Sequence, residues 1–321
     1  MVKTPENFPW VSFCMSTFKR PVLLKAQLES ILKQSFKNFE VVISDNDPEG
    51  SAEDVVKIIG DKRLKYFPNK VNLGMMKSFN KSIERSQSNY IIMITDDDPV
   101  VPEMLDKFYQ VVNKYPDVGI YCGCSRSGKS AEQVEHFNKS DFSFQILNPR
   151  LTTNLLWSSC IIRKSILLEI GSVPDYGSPH LADHAMIALC GNKAGGVLIN
   201  KMYSELTAHE NNFSKTNIAL YYVACNEFYK LINKSVEKKY YFKNGENALI
   251  KHLERWFITY SFSLRKFYTY QNKDQTKITE VNIESKKILD LKYMSGVKLK
   301  YLLKLTVFKL KRPLIVLGVM N

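Results

Sequence analysis

Acidic residues are missing from one end of this chain. None of its 321 residues after Asp290 is Asp or Glu, whereas Lys292, Lys298, Lys300, Lys304, Lys309, Lys311 and Arg312 all follow that point. Residues 1–210 carry 24 basic and 24 acidic side chains and residues 211–321 carry 21 and 8, so the net charge of +13 lies entirely in the last third. Such a basic back portion is expected to meet something anionic. Long apolar runs are lacking too: no window approaches the roughly 20 residues of a membrane span, and nothing near the start combines a basic segment, an apolar stretch and a cleavage site. The expectation is a cytoplasmic chain that does not cross the bilayer. G-x-G-x-x-G does not occur, which removes the phosphate-cradling turn of Rossmann dinucleotide proteins. The six cysteines are scattered through apolar stretches, so no disulfide framework is expected and a reducing compartment is. Cys122 and Cys124 have no second pair downstream and read as strand residues, not zinc ligands.

What is present is a core-forming composition, 45% hydrophobic, ample for one large domain or two. Short apolar runs at 10–16, 39–44, 63–67, 90–95 and 118–123 read as strands, apolar on both faces and therefore central in a parallel sheet. Helical spacing links them: Leu23, Leu24, Leu28, Ile31 and Leu32 after Pro21, and Phe79 and Ile83 after Asn72-Leu73-Gly74. This alternation predicts a doubly wound α/β fold with ligands at the carboxyl ends of the strands. Residues 124–153 read as a polar loop or insertion, 155–165 as a further strand and 181–191 as a short helix. From about residue 216 the pattern turns helical and rich in Tyr, Phe and Lys.

Every notable polar cluster falls at a strand end: Thr17 to Arg20, Asp45 to Asp47, and Asp96 to Asp98. Three adjacent carboxylates repel one another, so a cation is expected among them. Magnesium or manganese suits carboxylate oxygens, with diphosphate and water completing the shell; an acidic turn with Pro99 and Pro102 is the alternative. Strand alternation alone pairs Asp96 with Asp98. Asp47 reads as turn chemistry. Asp45 is positioned to accept hydrogen bonds from a base or ribose.

The stretches "VSFCMSTFKRP", "LESILKQSFKNFEVVISDND", "NKVNLGMMKSFNKSIERSQSNYIIMITDDDPVVPEML" and "IIRKSILLEIGSVPD", in that order, resemble family-two inverting glycosyltransferases of the GT-A fold, the kind that builds bacterial surface polysaccharides. The resemblance covers residues 10 to about 214. It implies a Rossmann-like, doubly wound mixed sheet over 1–214, with a nucleotide-sugar half at about 1–122, an acceptor half at about 150–214, and a basic, mainly helical extension over 215–321. It implies that Thr17, Arg20, Asp45, Asn72, Gly74, Asp96 and Asp97 contact the nucleotide-sugar. One register of the family's metal motif, counted back from Pro102, falls on Thr95, Asp97 and Asp98 and lacks its first acid; another, Thr-Asp-Asp, falls on Thr95, Asp96 and Asp97. Asp97 is common to both. The implied metal set is Asp97, Asp98 and, from "LTAHENNFS", His209. "HLADHAMIALCGNKAGG" resembles the segment carrying the general base, which is Asp183 here. An acidic first turn of a helix is its structural alternative. Trp157 is the candidate acceptor contact, with core packing as its alternative.

The implied reaction is metal-dependent transfer from a nucleotide diphosphate sugar, UDP-linked, to a hydroxyl of a glycan or lipid-linked glycan. A nucleotidyltransferase would want a glycine-rich turn after the first strand, which "STFKRP" lacks. A non-enzymatic basic adaptor would leave the strand-end acids unexplained, and those acids argue against nucleic acid as a partner. Leu299, Leu302, Leu303, Val307 and Leu310, edged by Lys300, Lys304 and Lys311, predict a helix lying on an anionic membrane at its cytoplasmic face. Packing on the catalytic domain is the alternative, because Tyr301, Leu305 and Phe308 widen the apolar arc.

Overall fold

The computed structural model describes residues 8–207, 218–235 and 245–316, with side chains described through 310. One eight-stranded sheet organises the chain. Its strands are β1 (Val11–Thr17), β2 (Phe39–Asp45), β3 (Leu64–Pro68), β4 (Tyr90–Ile94), β5 (Ile120–Arg126), β6 (Val134–Phe137), β7 (Thr152–Arg163) and β8 (Gly196–Asn200). They lie in the order β3-β2-β1-β4-β7-β5-β8-β6. β1 to β4 are mutually parallel, β7 runs antiparallel to β4 and β5, and β6 closes the far edge antiparallel to β8. The sheet is therefore mixed, and two expectations need correction. The 63–67 run forms β3, an edge strand whose lysine and tyrosine are partly exposed, and the 118–123 run forms β5, whose neighbour β7 is antiparallel. The 124–153 region also contains more than loop: it holds β6 and a short helix, α5 (Phe142–Leu147).

Side-chain alternation sorts the strands onto two cores. Val11, Phe13 and Met15 of β1 and Tyr90, Ile92 and Ile94 of β4 face one layer with α1 (Pro21–Leu32) and α4 (Met104–Lys114). Cys14, Ile91, Met93, Ile120, Cys122 and Ile162 face the other, with α3 (Met75–Arg85) and α7 (Ala182–Ala194). Period two on a buried strand produces this division directly. In α3, Met76, Phe79 and Ile83 recur at helical spacing and are buried, so that helix docks by one apolar stripe. The remaining short helices are α2 (Glu53–Ile59) and α6 (Lys164–Glu169).

Beyond residue 217 come α8 (Tyr221–Ser235), α9 (Gly245–Lys266), α10 (Gln275–Leu289) and α11 (Ser295–Val316). The second core continues without a break through Phe228, Leu253 and Phe257 to Tyr301. Arg265 ties three of these helices together: it donates to Asn282 Oδ1 at 2.6 Å and to the Tyr301 hydroxyl at 2.7 Å, and Tyr301 donates to Ser285 Oγ at 2.8 Å. All six cysteines are free and buried. Burial pushes the Cys14 and Cys124 thiols up to about 12 and raises those of Cys122, Cys190 and Cys225 as well.

Candidate active site

A cleft of about 790 Å³ opens at the carboxyl ends of β1 and β4. β1 ends in Thr17, and Lys19 then takes the left-handed conformation (φ 54°), sparsely populated for a residue with a Cβ. That turn brings Arg20, the residue before α1, back over the acidic triplet. Thr17 Oγ1 donates to Asp96 Oδ2 at 2.8 Å. Arg20 Nη1 lies 3.1 Å from Asp96 Oδ1 and 3.3 Å from Asp97 Oδ2. Asp98 turns the other way, accepting from Ser158 Oγ of β7 at 3.1 Å, while its backbone oxygen accepts from Gln27 Nε2 at 2.8 Å. The three carboxylates thus divide their partners: Asp96 and Asp97 face Arg20, and Asp98 faces β7.

Their protonation reflects the same geometry. Burial raises the Asp96 carboxyl above its usual value, against the pull of Arg20. Burial pushes Asp98 up to about 6, with the charges of Asp97 and Asp183 adding to the effect. A guanidinium already bridges two of these carboxylates, and the donor set is hard oxygen, so a divalent cation fits the local chemistry. Among the described residues no three His, Cys, Asp or Glu side chains converge on one point. A cation here would therefore take one or two carboxylates from the protein and complete its shell from diphosphate and water, as magnesium usually does. His209 lies outside the described residues.

Asp45 is fully buried and does not line the cleft. Its oxygens accept from the backbone amides of Asp47 (3.0 Å) and Ala52 (2.9 Å) and from the Tyr66 hydroxyl (3.0 Å), so it shapes the turn after β2. The next residue, Asn46, does line the cleft. Asn46 donates to Asn72 Oδ1 at 2.8 Å and accepts from the Leu73 amide at 2.8 Å, while Asn72 Oδ1 also accepts from the Gly74 amide at 2.9 Å. Gly74 has φ 81° and ψ 159° at the start of α3, a conformation open essentially to glycine alone. Asn72 and Gly74 both reach the cleft.

Asp183 sits in the first turn of α7, after Leu181 in the left-handed conformation (φ 63°). It lines the same cleft as the triplet. Its Oδ2 lies 3.9 Å from His184 Nε2, and His184 Nδ1 is 2.9 Å from His252 Nε2 of α9. Burial holds His252 well below the usual histidine range, and His184 and Arg255 push it the same way. One neutral ring must accept and the other donate across that contact. Trp157 is buried (8% exposed), its ring meeting Phe79 edge-on at 4.8 Å, and it also borders the cleft. Asn46, His252, Trp256 and Tyr260, none of them singled out by the sequence, also line the cleft. Asn46 was within reach, since it sits in the quoted "SDND" turn; the other three, on a helix distant in sequence, carry no local mark.

A parallel-stranded half with its acids at the strand ends, an antiparallel strand beside it and a carboxylate-bearing helix define a GT-A-type fold. Residues 12–171 match the family model described as "Glycosyl transferase family 2", and the chain belongs to that family. An uncharacterized glycosyltransferase of Methanocaldococcus jannaschii is 32% identical over 116 residues, 35% of this chain and 40% of its own length. The GalNAc(5)-diNAcBac-PP-undecaprenol beta-1,3-glucosyltransferase of Campylobacter jejuni is 29% identical over 146 residues, 42% and 47% respectively. The chain thus spans less than half the length of either relative. Among solved structures, S. aureus TarS 1-349 in complex with UDP-GlcNAc superposes with a TM-score of 0.59 at 16% identity, covering 91% of both chains. The mannosyltransferase PcManGT of Pyrobaculum calidifontis, in complex with GDP-Man and Mn2+, gives 0.51 at 13%, covering 92% of this chain and 88% of its own. At those identities the likeness is one of fold.

Proposed function

We propose that the protein transfers a sugar from a UDP-linked donor to a hydroxyl of a glycan or lipid-linked glycan, with inversion and with Asp183 as general base. The observation that carries this reading is a single cleft lined by both Thr17, Arg20 and Asp96–Asp98 and by Asp183. Thr17, Arg20, Asn72 and Gly74 hold the nucleotide diphosphate, and Asp45 sets the turn that presents Asn46 to the base. Asp97, with Asp96 or Asp98 and His209, would hold a magnesium or manganese ion. When bound, such an ion supplies Lewis-acid stabilisation to the departing diphosphate. Arg20 adds a fixed positive charge where negative charge develops. Asp183 takes the proton of the attacking hydroxyl as the new C1–O bond forms and the C1–O bond to diphosphate breaks. One carboxylate suffices, because the diphosphate leaves without being protonated, unlike the leaving oxygen of a glycosidase reaction. Support for a nucleotide-sugar donor comes from the ligands named for TarS and PcManGT, for UDP in particular from TarS alone, and for a lipid-linked acceptor from the C. jejuni relative's name.

The test is a thermal-shift panel of UDP, GDP, dTDP and CMP sugars with and without manganese. A stabilisation specific to one nucleotide, enhanced by manganese and lost in Asp97→Asn, is expected; no shift with any of them sinks the reading. Asp183→Asn should keep the shift and lose transfer, and the anomeric configuration of the product decides inversion.

Attachment to an anionic membrane surface forms part of this proposal. No helix among the described residues is long and apolar enough to cross a membrane. On α11, Val297 and Tyr301 are buried and Leu305 and Phe308 pack against the core, whereas Leu299 (69% exposed), Leu302, Leu303, Val307 and Leu310 (70%) point outward. The helix has two apolar faces, and the outer one is flanked by Lys298, Lys300, Lys304 and Lys309. Apolar residues ringed by cations suit insertion among anionic headgroups. Leu299→Ser/Leu303→Ser/Leu310→Ser should lower binding to phosphatidylglycerol vesicles at least tenfold without lowering thermal stability. Unchanged vesicle binding would remove the membrane from this reading.

A further inference from the structure

Beyond residue 171, where the family match ends, the cleft gains His180, Asp183 and His184 around the start of α7 and one further wall. That wall is formed by α9, whose His252, Arg255, Trp256, Thr259 and Tyr260 all line the cavity. These positions follow the i, i+3, i+4, i+7, i+8 spacing of a single helix face. A different face of the same helix, with Leu249, Leu253, Phe257 and Leu264, is buried in the core. α9 therefore has one aliphatic and aromatic face for packing and a second that mixes aromatic rings with hydrogen-bonding groups. Packing alone does not call for the second.

That face is fixed relative to Asp183. Arg255 donates to the backbone oxygens of Thr153 (2.8 Å) and Pro149 (3.3 Å), anchoring α9 to the start of β7. His252 meets His184, the residue after Asp183. The Trp256 ring is held by Tyr221 (4.9 Å), Tyr260 (5.3 Å) and His180 (5.8 Å). The Tyr260 hydroxyl is raised above its usual value by burial and then by the charge of Asp183, in keeping with a phenol lying in the field of that carboxylate.

We propose that this face of α9 is the acceptor subsite, with Trp256 and Tyr260 receiving the flat C–H face of a sugar ring so that one of its hydroxyls meets Asp183. The inference deepens the transferase reading and rests on it. Polarised C–H groups suit the negative face of an aromatic ring, and the surrounding His180, His184 and Thr259 can hydrogen-bond ring hydroxyls, the pattern of an apolar pocket with a few placed polar groups. An acyl chain would leave those polar groups unmatched, and a polyanion would meet Asp96–Asp98 and Asp183. The acceptor is therefore bound by its sugar, and the extension, not the family-matched segment, selects it.

Saturation-transfer difference NMR on the full chain tests this, using methyl β-glycosides of glucose, galactose, N-acetylglucosamine and N-acetylgalactosamine, each with and without UDP and manganese. The expected result is saturation of ring C–H protons of at least one glycoside, reduced at least fivefold in Trp256→Leu and largely retained in Trp256→Phe. Trp256→Leu keeps apolar volume and loses the ring, and equal thermal stability of the two variants separates stacking from packing. Absence of saturation for all four sugars in the wild type, or an unchanged signal in Trp256→Leu, overturns the inference. Nucleotide-induced thermal shifts on the same samples report the donor site independently, so failure of the transferase reading and failure of the acceptor subsite give different patterns.

Discussion

At the scale of single residues, the acidic triplet stores destabilisation that a ligand can relieve. Asp98 is buried and holds its proton up to about 6, above the ordinary aspartate value. A carboxyl group with a raised folded-state pKa stabilises the fold below its unfolded pKa, and that contribution is lost as pH rises through about 6. In metal-free protein, Asp98→Asn should therefore be more stable than wild type at pH 7.5, by up to about 3 kcal/mol, and the two should converge below pH 4. Urea unfolding across pH 4–7.5 measures the difference, and manganese should shrink it at the upper end. Arg20 acts in the opposite sense. Its guanidinium, about a third exposed, faces Asp96 and Asp97; Arg20→Gln leaves two poorly hydrated carboxylates facing each other. A loss of about 2 kcal/mol is expected, below the cost of breaking a fully buried pair because solvent screens this one. The same variant should bind UDP at least tenfold more weakly by calorimetry.

At the scale of elements, α5, α7 and β8 meet in a junction with no room for an added methyl group. Phe142 of α5 lies between Gly191 of α7 and Gly196 of β8, and a Cβ at either glycine would collide with its ring. Gly191→Ala should destabilise by about 1–3 kcal/mol, and pairing it with Phe142→Leu should restore part of that, giving a non-additive double-mutant cycle. α5 and β6 were not legible in the sequence. Both are short, and β6 is a four-residue edge strand with little burial, so neither shows a full hydrophobic period. β1, β2 and β4 were legible because they are buried on both faces, and α3 because its stripe is regular. The strand-end acids could be seen for the same reason, each following a recognisable strand. The α9 wall could not: His252, Arg255, Trp256, Thr259 and Tyr260 have helical spacing, but nothing local separates a cleft face from a packing face.

At the scale of the whole molecule, the second core runs from Cys14 to Tyr301, across the point where charge and composition change. The chain should therefore unfold in one transition, with circular dichroism and tryptophan fluorescence superimposable in urea; two resolved steps would show an extension that folds separately. This continuity places the outward leucines of α11 and the aromatic wall of α9 on one rigid support, so that a surface grasped by the former would set the approach to the latter. The cysteines add a practical possibility. All six are buried, and thiols shielded from solvent react slowly with maleimides and disulfide reagents. The unaltered chain is then its own blank for labelling. A cysteine introduced at Leu303 could carry an environment-sensitive dye, whose colour would report whether that face enters a lipid surface.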